Sequence, residues 1–215
     1  MKNIYDAKLR HFSQRKSLFT LIVGVLCFLG ISRISSAQTY YDMSSGNYSE
    51  AFDSISSTVA WPNGFNGTAS TMWRGLSVNN PSGSTIPSAL RITTETTSFV
   101  TGTSGGVQRG TNNIQLLSTG STDNSSSSAI ELYLNFSGRT AGTLSFDAAC
   151  VFNSSGNRVG TLRIYASTDG STYSELTATN LPFSATNNVA SSAPISVSLP
   201  AAFNNASQAR LRFYY

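Results

Sequence analysis

The chain has 215 residues, a formal charge of +4 and a charged fraction of only 11%. Its single histidine, His11, and all three lysines, Lys2, Lys8 and Lys16, fall within the first 37 residues. Residues 38–215 therefore have no Ser-His-Asp or Cys-His arrangement, no P-loop lysine and no histidine-based zinc site.

Residues 1–37 have the pattern of a secretory signal. Lys2, Lys8, Arg10, Arg15 and Lys16 form a basic start, and Leu18 to Ile31 an apolar core. Ser35-Ser36-Ala37 then places small residues ahead of a predicted cleavage before Gln38. The apolar core is 14 residues long, short of the roughly 18–20 that cross hydrocarbon, so no membrane insertion is expected after cleavage. Without this leader the chain carries eight arginines against nine carboxylates. The basic balance thus belongs to the leader, and scattered arginines exclude a nucleic-acid patch. The expected location is extracellular or at the cell surface.

Past the leader, apolar residues recur with period 2, and no helical period is found. In chain order the predicted strands include Leu90-Arg91-Ile92-Thr93-Thr94, Ile130 to Phe136, Leu144 to Phe152, Thr161 to Ser167, Ile195 to Leu199 and Leu211 to Tyr215. Turn signals separate them at Pro62-Asn63-Gly64, Asn153-Ser154-Ser155-Gly156-Asn157 and Thr168-Asp169-Gly170. Short strands at this spacing predict an all-β fold, an antiparallel sandwich, formed as one domain over residues 38–215. Arg210-Leu211-Arg212-Phe213-Tyr214-Tyr215 is a strand pattern with no turn or polar tail after it. It predicts a domain that is C-terminally truncated and lacks its last strand.

Cys150 is alone after the leader and forms no internal disulfide. The alternation puts it on one strand face with Leu144, Phe146, Ala148 and Phe152, as a buried, inert thiol. The remaining chemistry lies in carboxylates, hard cations and aromatic rings. Two facing carboxylates would suit glycan hydrolysis. Asp169, Asp53 and Asp123 are candidate calcium ligands, although Asp169-Gly170 is first a tight-turn signal. No cofactor is expected, and calcium is the inorganic partner that loop carboxylates would suit. For a glycan partner, Trp61, Tyr133, Tyr165 and Tyr173 could stack on sugar faces while Arg163 reaches hydroxyls. Tyr133 and Tyr165 alternate with core positions, which predicts exposure. Trp73 is expected in the core.

Several stretches carry a family likeness: Leu134-Asn135-Phe136-Ser137-Gly138-Arg139-Thr140-Ala141-Gly142-Thr143-Leu144-Ser145-Phe146-Asp147, Leu162-Arg163-Ile164-Tyr165-Ala166-Ser167-Thr168-Asp169-Gly170-Ser171, and Arg210 to Tyr215. With Tyr48-Ser49-Glu50-Ala51-Phe52-Asp53 they resemble secreted β-sandwich modules of unknown function in large surface proteins of Bacteroidetes-like bacteria. The resemblance implies a jelly-roll sandwich like that of carbohydrate-binding modules, and a further Gly-rich turn and final strand. It brings no catalytic residues. Three readings follow: a carbohydrate-binding or adhesive module, a structural spacer of a larger surface protein, and a carboxylate-dependent glycan hydrolase.

Overall fold

A computed structural model describes residues 38–52, 72–77, 106–109, 112–118 and 128–215. The leader, the Leu90–Thr94 strand and the Pro62-Asn63-Gly64 turn lie outside these residues. Among the described residues eleven strands run in chain order: β1 Tyr41–Asp42, β2 Trp73–Ser77, β3 Gly106–Arg109, β4 Ile114–Leu117, β5 Ser128–Asn135, β6 Thr143–Ala149, β7 Val159–Ser167, β8 Ser174–Leu176, β9 Phe183–Thr186, β10 Ser192–Ser198 and β11 Ala209–Tyr214. Two short 3-10 turns, Met43–Ser45 and Ala201–Phe203, are the helical elements among the described residues. The fold is all-β, as the alternation predicts.

The main sheet is built on three long strands, with β11 between β5 and β7 and antiparallel to both. The far flank of β5 is shared by β2, which pairs along Ser128–Leu132, and by β1, parallel to Leu134–Asn135. The far flank of β7 is shared by β9 and β8. A second layer pairs β6 with β10 over their whole lengths, from Thr143↔Ser198 to Ala149↔Ser192. The hairpin β3–β4 packs Ile114 and Leu116 against the same core. The described sheets form no closed barrel.

Period 2 explains the packing, because alternate side chains of a strand leave opposite faces. Ile130, Leu132 and Leu134 of β5, Ile164 and Ala166 of β7, and Leu211 and Phe213 of β11 point to the inner side. They meet Leu144, Phe146 and Ala148 of β6 and Ile195 and Val197 of β10. Phe146 and Phe213 touch edge to face across the layers, with ring centroids 5.4 Å apart. This is face-to-face sheet packing, the sandwich expected from sequence. Trp73 closes one end of the core between Phe52, Tyr48 and Phe213, its indole N–H donating to the Tyr48 hydroxyl.

Two expectations are corrected here. The strand begun at Leu144 ends at Ala149, so Phe152 does not share its inward face and is 55% exposed. The Asn153–Ser155 turn signal stops the strand earlier than apolar pattern alone suggests, and Cys150 is half-buried. The strand at Arg210–Tyr214 has hydrogen-bonded neighbours on both sides.

Because Leu211 is central and fully buried, Leu211→Ala is expected to cost about 2–5 kcal/mol of stability. A urea unfolding midpoint equal to that of the unaltered chain would contradict this placement.

Candidate functional site

The alternation that fills the core also loads the opposite, outer face of the main sheet. Arg74, Glu131, Tyr133, Arg163, Tyr165, Glu175, Arg210, Arg212 and Tyr214 all occupy its outward positions. Register then sets them in rows. Arg74 lies opposite Glu131, Glu131 opposite Arg212, Arg212 opposite Tyr165, and Tyr165 opposite Glu175. One row of four charged side chains and one aromatic ring therefore crosses five strands, each step a direct cross-strand pair.

The centre of the row is buried. Glu131 and Arg212 are each 1% exposed, and Arg212 Nε and Nη2 both donate to Glu131 Oε2, at 2.6 and 2.5 Å. The Tyr173 hydroxyl accepts from Arg212 Nη2 at 2.8 Å and donates to the same carboxylate oxygen at 2.9 Å. The Tyr173 ring lies over the guanidinium, 3.9 Å from ring centroid to Cζ, a cation–π contact strengthened by desolvation. Arg210 Nη1 approaches Glu131 Oε1 at 3.9 Å, and its Nη2 donates to the Tyr40 hydroxyl. Burial, with the Glu131 charge behind it, pushes the Tyr133 and Tyr173 phenols well up from their ordinary range.

Tyr133 and Tyr165 are therefore not the exposed stacking platform expected from their polar strand positions. They are 3% and 9% exposed. Position on the outward face does not ensure exposure, because neighbouring side chains lie flat over it. Tyr40 meets Tyr133 edge-on at 5.4 Å, and the Arg210 guanidinium covers its ring. Tyr214 meets Tyr165 at 5.9 Å. Tyr173 is half-buried as the lid of the ion pair. Arg163 remains accessible: its Nη1 bonds Glu175 Oε1 at 2.7 Å, with side chains 40% and 28% exposed.

Asp169 is a turn residue. Its Oδ1 accepts from the backbone N–H groups of Thr172 and Ser171, each at 2.7 Å, and from the Ser167 hydroxyl. Gly170 follows with φ +74°, the left-handed backbone that glycine adopts without penalty. These bonds, from Thr172 first and then Ser171, hold the Asp169 carboxyl down at about 2. Among the described residues no group of three or more acidic, Cys or His side chains could hold a metal. Asp53, Asp123 and Trp61 lie outside them.

Comparison of the chain with protein families, curated proteins and solved structures finds no match. The likeness to secreted surface modules therefore stands on the quoted residues alone. No helix among the described residues is long and apolar enough to cross a membrane.

The buried Glu131–Arg212–Tyr173 cluster was not anticipated from sequence. Its signal lies in Glu131, Arg210 and Arg212 at the polar beats of strongly alternating strands, but their register with one another is not written in either strand alone. The half-buried Cys150 is no better suited to nucleophilic work than expected, since desolvation pushes its thiol up.

Glu131→Ala is expected to cost about 3–5 kcal/mol, because it strands a buried guanidinium. Replacing both partners, as Glu131→Leu with Arg212→Met, recovers most of that loss in chemical denaturation if the pair is structural. Tyr133→Ala lowers the melting midpoint, whereas an exposed platform residue would leave it unchanged. For Asp169 the folded pKa lies below the ordinary value of 3.8, so its contribution to stability is complete above that value. It is lost as pH falls through about 2. Asp169→Asn flattens the acid limb of the stability–pH curve, and an identical limb in the variant would exclude the capped turn.

Proposed function

We propose that this chain is an exported, non-catalytic β-sandwich module that holds a glycan outside the cell, and that its layer alternation is a jelly-roll winding. The observation carrying this reading is the exposed end of the charged row, the Arg163–Glu175 pair at 2.7 Å. A guanidinium and a carboxylate side by side offer donors and acceptors suited to adjacent sugar hydroxyls. The half-exposed Tyr214 ring beside them supplies an apolar surface for a C–H face. The leader pattern of residues 1–37 supports export.

The hydrolase reading loses its best-placed acids. Glu131 and Glu175 share the row but sit on strands three spacings apart, about 14 Å between backbones, and do not face one another as a hydrolytic pair would. Each is also paired with an arginine. The spacer reading has an observation in its favour, the burial of Tyr133 and Tyr165, which turns two binding candidates into packing.

A thermal-shift screen of the full chain against polysaccharides, with calcium and with chelator, separates the two. A bound glycan stabilises the folded state by about 2.7 kcal/mol at one hundred times its Kd. Arg163→Ala should reduce that rise while changing the ligand-free stability by less than about 1 kcal/mol, as expected for a surface pair. A cooperative melt that no glycan moves would leave the spacer.

A further inference from the structure

A cleft of about 570 Å³ opens between the end of β6 with its following loop, the first half of β7, β9 and β4. This volume lies in the range of small-ligand sites, about 300–1,000 Å³. Its apolar wall is made by Leu162 and Phe183, which are cross-strand partners, together with Leu116. Its polar rim carries Asn153, Asn187 and the phenol of Tyr215.

The rim is preformed. Asn153 N–H donates to the Asn187 carbonyl at 2.7 Å, and Asn187 N–H to the Arg158 carbonyl at 2.9 Å. Both side-chain oxygens are also engaged: Asn187 Oδ1 accepts from Arg158 N–H and Asn153 Oδ1 from Ser155 N–H. Those bonds fix how each amide is turned and leave its NH2 group as the available donor. Gly160 makes room for the phenol, since a Cβ there would stand 1.9 Å from the Tyr215 hydroxyl. No lining residue among those described carries a charge. An ionic ligand would therefore be desolvated without a counter-charge. The fitting ligand is neutral, has one apolar face, and presents several oxygens to amide and phenol donors.

We infer that this cleft binds a neutral sugar ring, its C–H face on Phe183 and Leu162 and its oxygens toward Asn153, Asn187 and Tyr215. The inference rests on the glycan reading for its ligand class, and it locates a site apart from Arg163 and Glu175. Cys150 lines the same cleft and serves as a reporter. A ring seated there covers the thiol and slows its alkylation.

The test measures maleimide labelling of Cys150 in the full chain at mildly alkaline pH, resolved from Cys27 by peptide mass spectrometry. Cellobiose, maltose and lactose are the probes, with thermal midpoints recorded in parallel. Labelling about tenfold slower at ten times the Kd of one disaccharide, and no slowing in Ala185→Leu, whose larger side chain fills the cleft, would establish the site. Asn153→Ala provides the same test without filling the cleft, should Ala185→Leu fail to fold. A raised midpoint without protection of Cys150 would overturn the cleft while sparing the glycan reading. Protection that persists in the variants would also overturn the cleft. Neither a raised midpoint nor protection with any of the three sugars would overturn this site. The glycan reading itself falls only if, in addition, no polysaccharide moves the midpoint.

Discussion

A carboxylate and a guanidinium removed from water on the two central strands set the terms for everything around them. Glu131 and Arg212 are separated by 81 residues in sequence, yet neither tolerates being placed without the other. Their strands also carry the apolar core on the opposite face. A slip of one residue between β5 and β11 would set Glu131 opposite Leu211 or Phe213, and would turn charge inward and leucine outward. The ion pair and the hydrophobic alternation therefore specify the same register by independent means. Tyr173 adds a third constraint, since its hydroxyl serves both charges and its ring roofs one of them.

The outer face is consequently an inward-looking surface despite pointing away from the core. Arg210 reaches toward Glu131 and Tyr40, while Tyr214 packs against Tyr165 and, with Leu76 and Ala129, forms a small apolar patch. Among the described residues the face is accessible toward β8, where Arg163 and Glu175 meet solvent, and toward β9, where Val159 and Ser184 do. The second layer has a different character. Outward positions of β6 and β10, such as Ser145, Asp147, Ser196 and Ser198, are small, polar and exposed. One edge of that layer carries Pro194, which cannot donate to an added strand, and the Asn180 amide bonds its carbonyl.

The strong alternation of Ile130 to Phe136, Thr161 to Ser167, Ile195 to Leu199 and Leu211 to Tyr215 made the long strands and their inward faces legible in the sequence. The turns at Asn153–Asn157 and Asp169–Gly170 were legible for the same local reason. The short strands Trp73–Ser77, Ser174–Leu176 and Phe183–Thr186 were not, because three to five residues hold too few beats of the period. Register was also illegible, and with it the site. Local pattern says that Tyr133 and Tyr165 face away from the core, but their exposure depends on Tyr40, Arg210 and Tyr214, which arrive from distant segments. The cleft likewise joins β4, β9 and the end of β6, which no local pattern brings together.

The position of β11 bears on the order in which the sheet can be made. The strand nearest the C-terminus lies between two earlier ones, so β5 and β7 have no contact with each other as neighbours until it is inserted. A growing polypeptide emerging N-terminus first holds these two strands as separate halves, each with an unfilled edge, until Ala209–Tyr214 has emerged. Closing the sheet is a late, long-range event with a correspondingly large loop entropy to overcome. The main sheet therefore gains its central strand only once β5 and β7 are both present to receive it, one on each side.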